Sequence, residues 1–130
     1  MRSVFHYQNL IDQIKELVMS DLSVVGEAIR YYKLNANGGY AAWANGPCTD
    51  DYKMHVPSMR FNTVGPAENE EIIFGWLAEI EAKQELVNII EFGSYVTGYS
   101  HISDKDGGLL DVVEVFKIDD SVKVEEIWAL

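Results

Sequence analysis

The sequence has little of three things: cysteine, of which it has one, proline, of which it has three, and positive charge. A lone Cys48 cannot close a disulfide within the chain, so a reducing compartment is expected. No His or Asp stands at nucleophile-motif spacing from it, so it is not a candidate nucleophile. Ten Lys and Arg face 21 Asp and Glu, giving a net charge of −11. Such a balance disfavours nucleic acid and anionic membrane surfaces as partners. No apolar run approaches the roughly 18 residues of a membrane span. Met1–Phe5 lead into a polar, helix-periodic segment and not a signal-peptide core, so a cytoplasmic location is expected. The three histidines, His6, His55 and His101, show no ligand-motif spacing, and there is no cysteine pair, so no metal site is expected. The glycine pairs Gly38-Gly39 and Gly107-Gly108 are turn signals, not phosphate cradles. An enzyme of this composition would work without a cofactor.

What the sequence does have is apolar and aromatic content, 48% and 12%, enough for a folded core. Residues 1–130 read as a single domain, with 1–21 as an additional N-terminal helix. Tyr7, Leu10, Ile11, Ile14, Leu17 and Val18 make its apolar face over 7–19. A second helix is predicted over 22–36, through Val25, Ile29 and Tyr32, ending at Asn35–Gly39. A short helix over 40–44, a strand over 52–56 and an irregular stretch over 57–66 follow. The clearest helix runs over 67–84, with Ile72, Ile73, Trp76, Leu77 and Ile80 as its stripe. Strands are then predicted at 86–92 and 95–103. A hairpin loop at 104–108 leads into two more strands, joined by a turn at 119–121. Helices first and a meander after is an α+β order.

One residue interrupts the strand over 109–118. Glu114 shares a face with Val112 and Phe116. Turning that face inward leaves Asp111 and Lys117 outside, so an inward carboxylate is expected, with burial raising its pKa into a proton-shuttling range. The alternative turns Asp111, Val113, Val115 and Lys117 inward and leaves Glu114 in water.

Three stretches resemble the nuclear transport factor 2-like superfamily, in particular its SnoaL-like and ketosteroid isomerase-like domains: EAIRYYKLNANGGYAAWA at 27–44, DDYKMHVPS at 50–58 and LDVVEVFKIDDSVKVEEIW at 110–128. The resemblance spans roughly 24–128. It implies a cone-shaped curved antiparallel sheet wrapped around the N-terminal helices, with a pocket inside. It also implies that Glu114 falls at the buried acid position of the isomerases. Tyr31 falls at their oxyanion-hole tyrosine, with Tyr32 as the alternative register. The isomerase base, an Asp directly before proline, is replaced by Val56 preceded by His55. Steroid isomerisation as such is therefore not expected.

The candidate catalytic residues are Glu114, His55, Tyr31 and His101. His55 is the candidate second base, although a strand-edge His packed on Pro57 would look the same in sequence. Tyr31 and Tyr32 sit about 100° apart around a helix, so only one can point fully inward. His101 shares a strand face with Tyr95, Thr97 and Tyr99. Tyr32, Trp43, Val56, Trp76, Tyr99, Val112, Phe116 and Ile127 are candidate substrate-binding residues, most of them equally plausible as core. Together these features point to a cofactor-independent acid–base enzyme acting on a hydrophobic polyketide- or terpenoid-like molecule. The reaction would be aldol cyclisation, dehydration or double-bond isomerisation. The alternative is a non-catalytic small-ligand binding or dimeric interaction domain of the same fold. A homodimer through the outer sheet face is the expected assembly.

Overall fold

The computed structural model describes residues 22–44 and 46–130. The expected helix over 7–19, with His6, lies outside them. Helix α1 (Val24–Leu34) is capped by Ser23, whose hydroxyl accepts from the Gly26 N–H. Ser23 also donates from its N–H (3.1 Å) and its hydroxyl (2.7 Å) to Glu91 Oε1 of the sheet. Gly26 lets the first turn come that close, because a Cβ there would overlap the same oxygen. A 3₁₀ turn (Ala36–Gly38) leads to the short α2 (Tyr40–Trp43).

The sheet has six strands: β1 (Cys48–Val56), β2 (Phe61–Val64), β3 (Lys83–Phe92), β4 (Tyr95–Ser103), β5 (Leu109–Ile118) and β6 (Val124–Ala129). Their order is β2-β1-β6-β5-β4-β3. All neighbours are antiparallel except β1 and β6, which run parallel. That one pair departs from the all-antiparallel expectation, because the last strand inserts beside the first. The sheet curves without closing. Register shifts in β1, in β3 between Leu86 and Asn88, and in β5 between Lys117 and Ile118 supply local bends.

Strand β2 falls in the stretch expected to be irregular. Its turn from β1 is closed by Arg60 at φ 59°, a position where glycine would have been the usual signal. The expected helix over 67–84 is shorter and has three parts: α3 (Gly65–Glu68), a π-helical segment (Asn69–Phe74) and α4 (Gly75–Glu79). Glu81 takes φ 52°, and Lys83 and Gln84 already pair with Ser103 and Ile102. Good helix formers there yield to ladder pairing. The π-helical segment also shifts the buried stripe, exposing Ile72 and burying Asn69, Ile73 and Phe74. Among the described residues, no helix is long and apolar enough to cross a membrane.

Val112, Glu114 and Phe116 of β5 face inward, while Asp111 and Val113 are exposed on the outer side. On β4 the inward set is Val96, Gly98, Ser100 and Ile102. The core gathers Val25, Ile29, Tyr32, Trp43, Tyr52, Phe74, Phe116 and Ile127 between the helices and this face. Each large side chain buried there contributes about 1.5–3 kcal/mol.

Candidate active site

Glu114 is one wall of a cavity of about 300 Å³ between the helices and the concave sheet face. Apolar groups make most of the lining, among them Trp43, Phe61, Ile73, Phe74, Trp76, Val112, Phe116 and Ile127. Ser58, Leu110, Asp111 and Leu130 are its exposed residues and mark the mouth. The polar groups deeper in are Glu114, Tyr32, Gln84 and Asn69.

Glu114 is 7% exposed and makes an ion pair with Lys33, itself 2% exposed. Lys33 Nζ also donates to Gln84 Oε1 at 3.0 Å. Lys33 lies behind Glu114 and Gln84, outside the cavity lining. Glu114 is thus met by a cationic side chain, an arrangement that suits a proton acceptor. Lys33 Nζ donates to Glu114 Oε1, and Glu114 itself lines the cavity. Gly98, its neighbour across the β4 ladder, adds no side chain to this space. Lys33 has a legible sequence signal that the helix reading passed over. Val25, Ile29 and Lys33 recur at i, i+4 and i+8, so a lysine stands on the apolar stripe.

Tyr32, and not Tyr31, points inward. Tyr31 is 69% exposed and lines a shallow surface groove with Leu34 and Asn35. The helix is rotated so that Ile29, Tyr32 and Lys33 meet the sheet, and the neighbouring residue turns to solvent. Tyr32 packs against Trp43 with ring centroids 4.0 Å apart. Burial, and after it the Glu114 charge, pushes its phenol well above the usual range, so it stays protonated and can donate.

His55 is not in the cavity. Tyr52, Met54 and Val56 are the inward residues of β1, and His55 sits on the outer face. There it meets Asn62 Oδ1 at 2.8 Å and Glu126 Oε2 at 2.7 Å, with its ring stacked on Trp128. Hydrogen bonds to Asn62 and Glu126 raise its pKa. Glu114 pairs with Lys33, and His55 with Glu126 on the other face. His101 and Tyr99 are also on the outer face. Both hold Asp111 Oδ1, at 2.7 Å and 3.0 Å, and only Asp111 reaches the mouth. Val56, Trp43, Trp76, Val112, Phe116, Ile127 and Tyr32 do line the cavity. Burial pushes the Cys48 thiol up to about 12, which keeps it protonated. Lys33, Gln84 and Asn69 were not anticipated.

No family model matches the sequence, and no curated protein matches it. Solved structures do match. A candidate ketosteroid isomerase from Kribbella flavida aligns with TM-score 0.66 at 16% identity, over 85% of this chain and 79% of its own. A SnoaL-like protein of unknown function from Burkholderia thailandensis aligns with TM-score 0.64 at 15% identity, over 84% and 96%. TerC, co-crystallised with polyporic acid, aligns with TM-score 0.66 at 18% identity, over 83% and 91%.

Proposed function

The chain has the nuclear transport factor 2-like fold, and on that premise we propose that it is a cofactor-independent acid–base enzyme acting on a hydrophobic ring compound. The reaction class is aldol cyclisation, dehydration or double-bond isomerisation, on a polyketide- or terpenoid-like molecule. The observation that carries this reading is a carboxylate, Glu114, lining an otherwise apolar cavity with its counter-ion held behind it. Glu114 takes a proton from the carbon next to a carbonyl. The electron pair moves onto the carbonyl oxygen, where the Tyr32 phenol donates a hydrogen bond. Glu114 then returns the proton, to the same carbon or to a conjugated one. His55 has no part in this shuttle, so one base does both transfers. Support of a weaker kind comes from the neighbours: one is a candidate ketosteroid isomerase and another was crystallised with a small organic molecule.

The test needs no knowledge of the natural substrate. Exchange of the α-protons of 2-tetralone in D₂O is followed by NMR. The wild type should accelerate it, and Glu114→Gln should lose about 10²–10⁴-fold. A wild type no faster than Glu114→Gln refutes the enzyme reading. One observation favours the second reading, a non-catalytic ligand-binding domain. Among the described lining residues Glu114 is already paired and there is no histidine or cysteine. In that case 2-tetralone binds without exchange. For assembly we propose a homodimer through the outer sheet face, where Ile90, Phe92, Tyr95 and Val113 are exposed.

A further inference from the structure

Asn69 opens the π-helical segment and is 1% exposed, yet it lines the cavity. Among the described residues its Nδ2 donates to Met54 Sδ alone, at 3.0 Å. A thioether is a weak acceptor, so a buried carboxamide has been placed against apolar neighbours with poor compensation. Leucine has nearly the same shape and would fill this wall without that cost. Wide π turns of this kind also recur where helices meet functional sites. A polar group that packing does not require is best explained by what enters the cavity.

Its position says which part of the ligand it meets. Met54 lies on β1, and Glu114 lies two strands away on β5, with β6 between them. At about 4.8 Å per strand, the β1 and β5 backbones stand roughly 10 Å apart, and Glu114 is offset by two residues from the row of Met54, Ile127 and Phe116. A distance of that order is the span of two or three fused rings, and the wall between the two polar groups is apolar, made by Ile127 and Phe116.

We propose that Asn69 is a specificity-determining residue that hydrogen-bonds a second oxygen of the substrate, remote from the one held at Glu114 and Tyr32. The substrate class is then a neutral compound of two or more rings, oxygenated at both ends. A hydroxyl or carbonyl at the far end takes the Nδ2 proton now given to Met54 Sδ, and a hydroxyl can also donate to Oδ1. This rests on the cavity being the substrate site, and it adds the substrate's far end.

The probes are 2-tetralone and its four derivatives carrying a hydroxyl on the aromatic ring. Binding is read from quenching of tryptophan fluorescence, since Trp43 and Trp76 line the cavity. One or more hydroxylated derivatives should bind the wild type about threefold to tenfold more tightly than 2-tetralone, the worth of one hydrogen bond. In Asn69→Leu that gain should vanish while 2-tetralone binds as well or better. The variant should also unfold at the same or a higher temperature, which a structural asparagine would not permit. The second measurement uses the wild-type fold. The Asn69 side-chain amide, labelled with ¹⁵N, should shift with the hydroxylated probe and not with 2-tetralone. Equal binding of all five compounds, or a gain that survives in Asn69→Leu, or an amide that does not move, overturns the inference alone. If none of the five binds, the cavity reading falls and this inference with it.

Discussion

Replacing Lys33 with methionine removes the counter-ion of a largely buried carboxylate. The side chains of the pair are 1% and 9% exposed. Losing one partner of a buried pair costs about 3–5 kcal/mol, mostly because the other charge is left uncompensated. Domains of this kind have only about 5–15 kcal/mol in total. For a chain of this size the loss corresponds to a drop in Tm of roughly 10–20 °C. The double variant Lys33→Met/Glu114→Met removes both charges at similar volume and should return to within about 1 kcal/mol of the wild type. Arg30 provides an internal control. Its pairing with Glu27 is 3.5 Å long, between side chains 50% and 42% exposed. Arg30→Ala should therefore cost no more than about 0.5 kcal/mol. Urea unfolding of the four proteins gives the numbers. A Lys33→Met loss no larger than that of Arg30→Ala would refute the account of the pair. A double variant as unstable as the single one would refute its reason.

Three further outcomes can be checked. Tyr32→Phe should slow 2-tetralone exchange about tenfold or more by removing the donor to the enolate oxygen, while Tyr31→Phe should not change it; equal effects would contradict the assigned rotation of α1. His55 has its pKa raised by Asn62 and Glu126, so its contribution to stability is full below about pH 6.5 and is lost as pH rises through the higher folded value. Thermal unfolding from pH 5 to 9 should show that loss, and Glu126→Gln should flatten it; an unchanged profile in the variant would remove the role given to Glu126. Sedimentation at micromolar concentration should give a dimer, reduced to monomer by Ile90→Lys/Phe92→Glu on the exposed outer face; a monomeric wild type refutes the assembly.

The turns and the strand alternation were readable because their causes are local. Val112, Glu114 and Phe116 had to share a face, and the charges of Asp111 and Lys117 on the other face favoured turning it inward. Asp104–Gly108 and Asn35–Gly39 carried ordinary turn chemistry. Strand β2 was not readable, since four residues on a sheet edge carry little pattern and their turn uses Arg60 in place of glycine. The end of the helix over 67–84 was misplaced because Lys83 and Gln84 favour a helix until β4 is there to pair with them.

The sequence by itself determined the α+β order, the strand face that Val112 and Phe116 share with a carboxylate, and most of the apolar residues that wall the cavity. Only the tertiary structure decided the chemistry of that carboxylate. Its partner Lys33 is 81 residues away, brought to it by the packing of α1 against the sheet. The same packing turned Tyr32 and not Tyr31, about 100° away, toward the sheet, on the stripe of Val25 and Ile29. His55 faces outward because the ladders on either side of β1, with β2 and with β6, fix which of its side chains point inward, and those ladders join residues far apart in the chain. Period-two patterning tells which residues travel together, and long-range pairing tells which way they face.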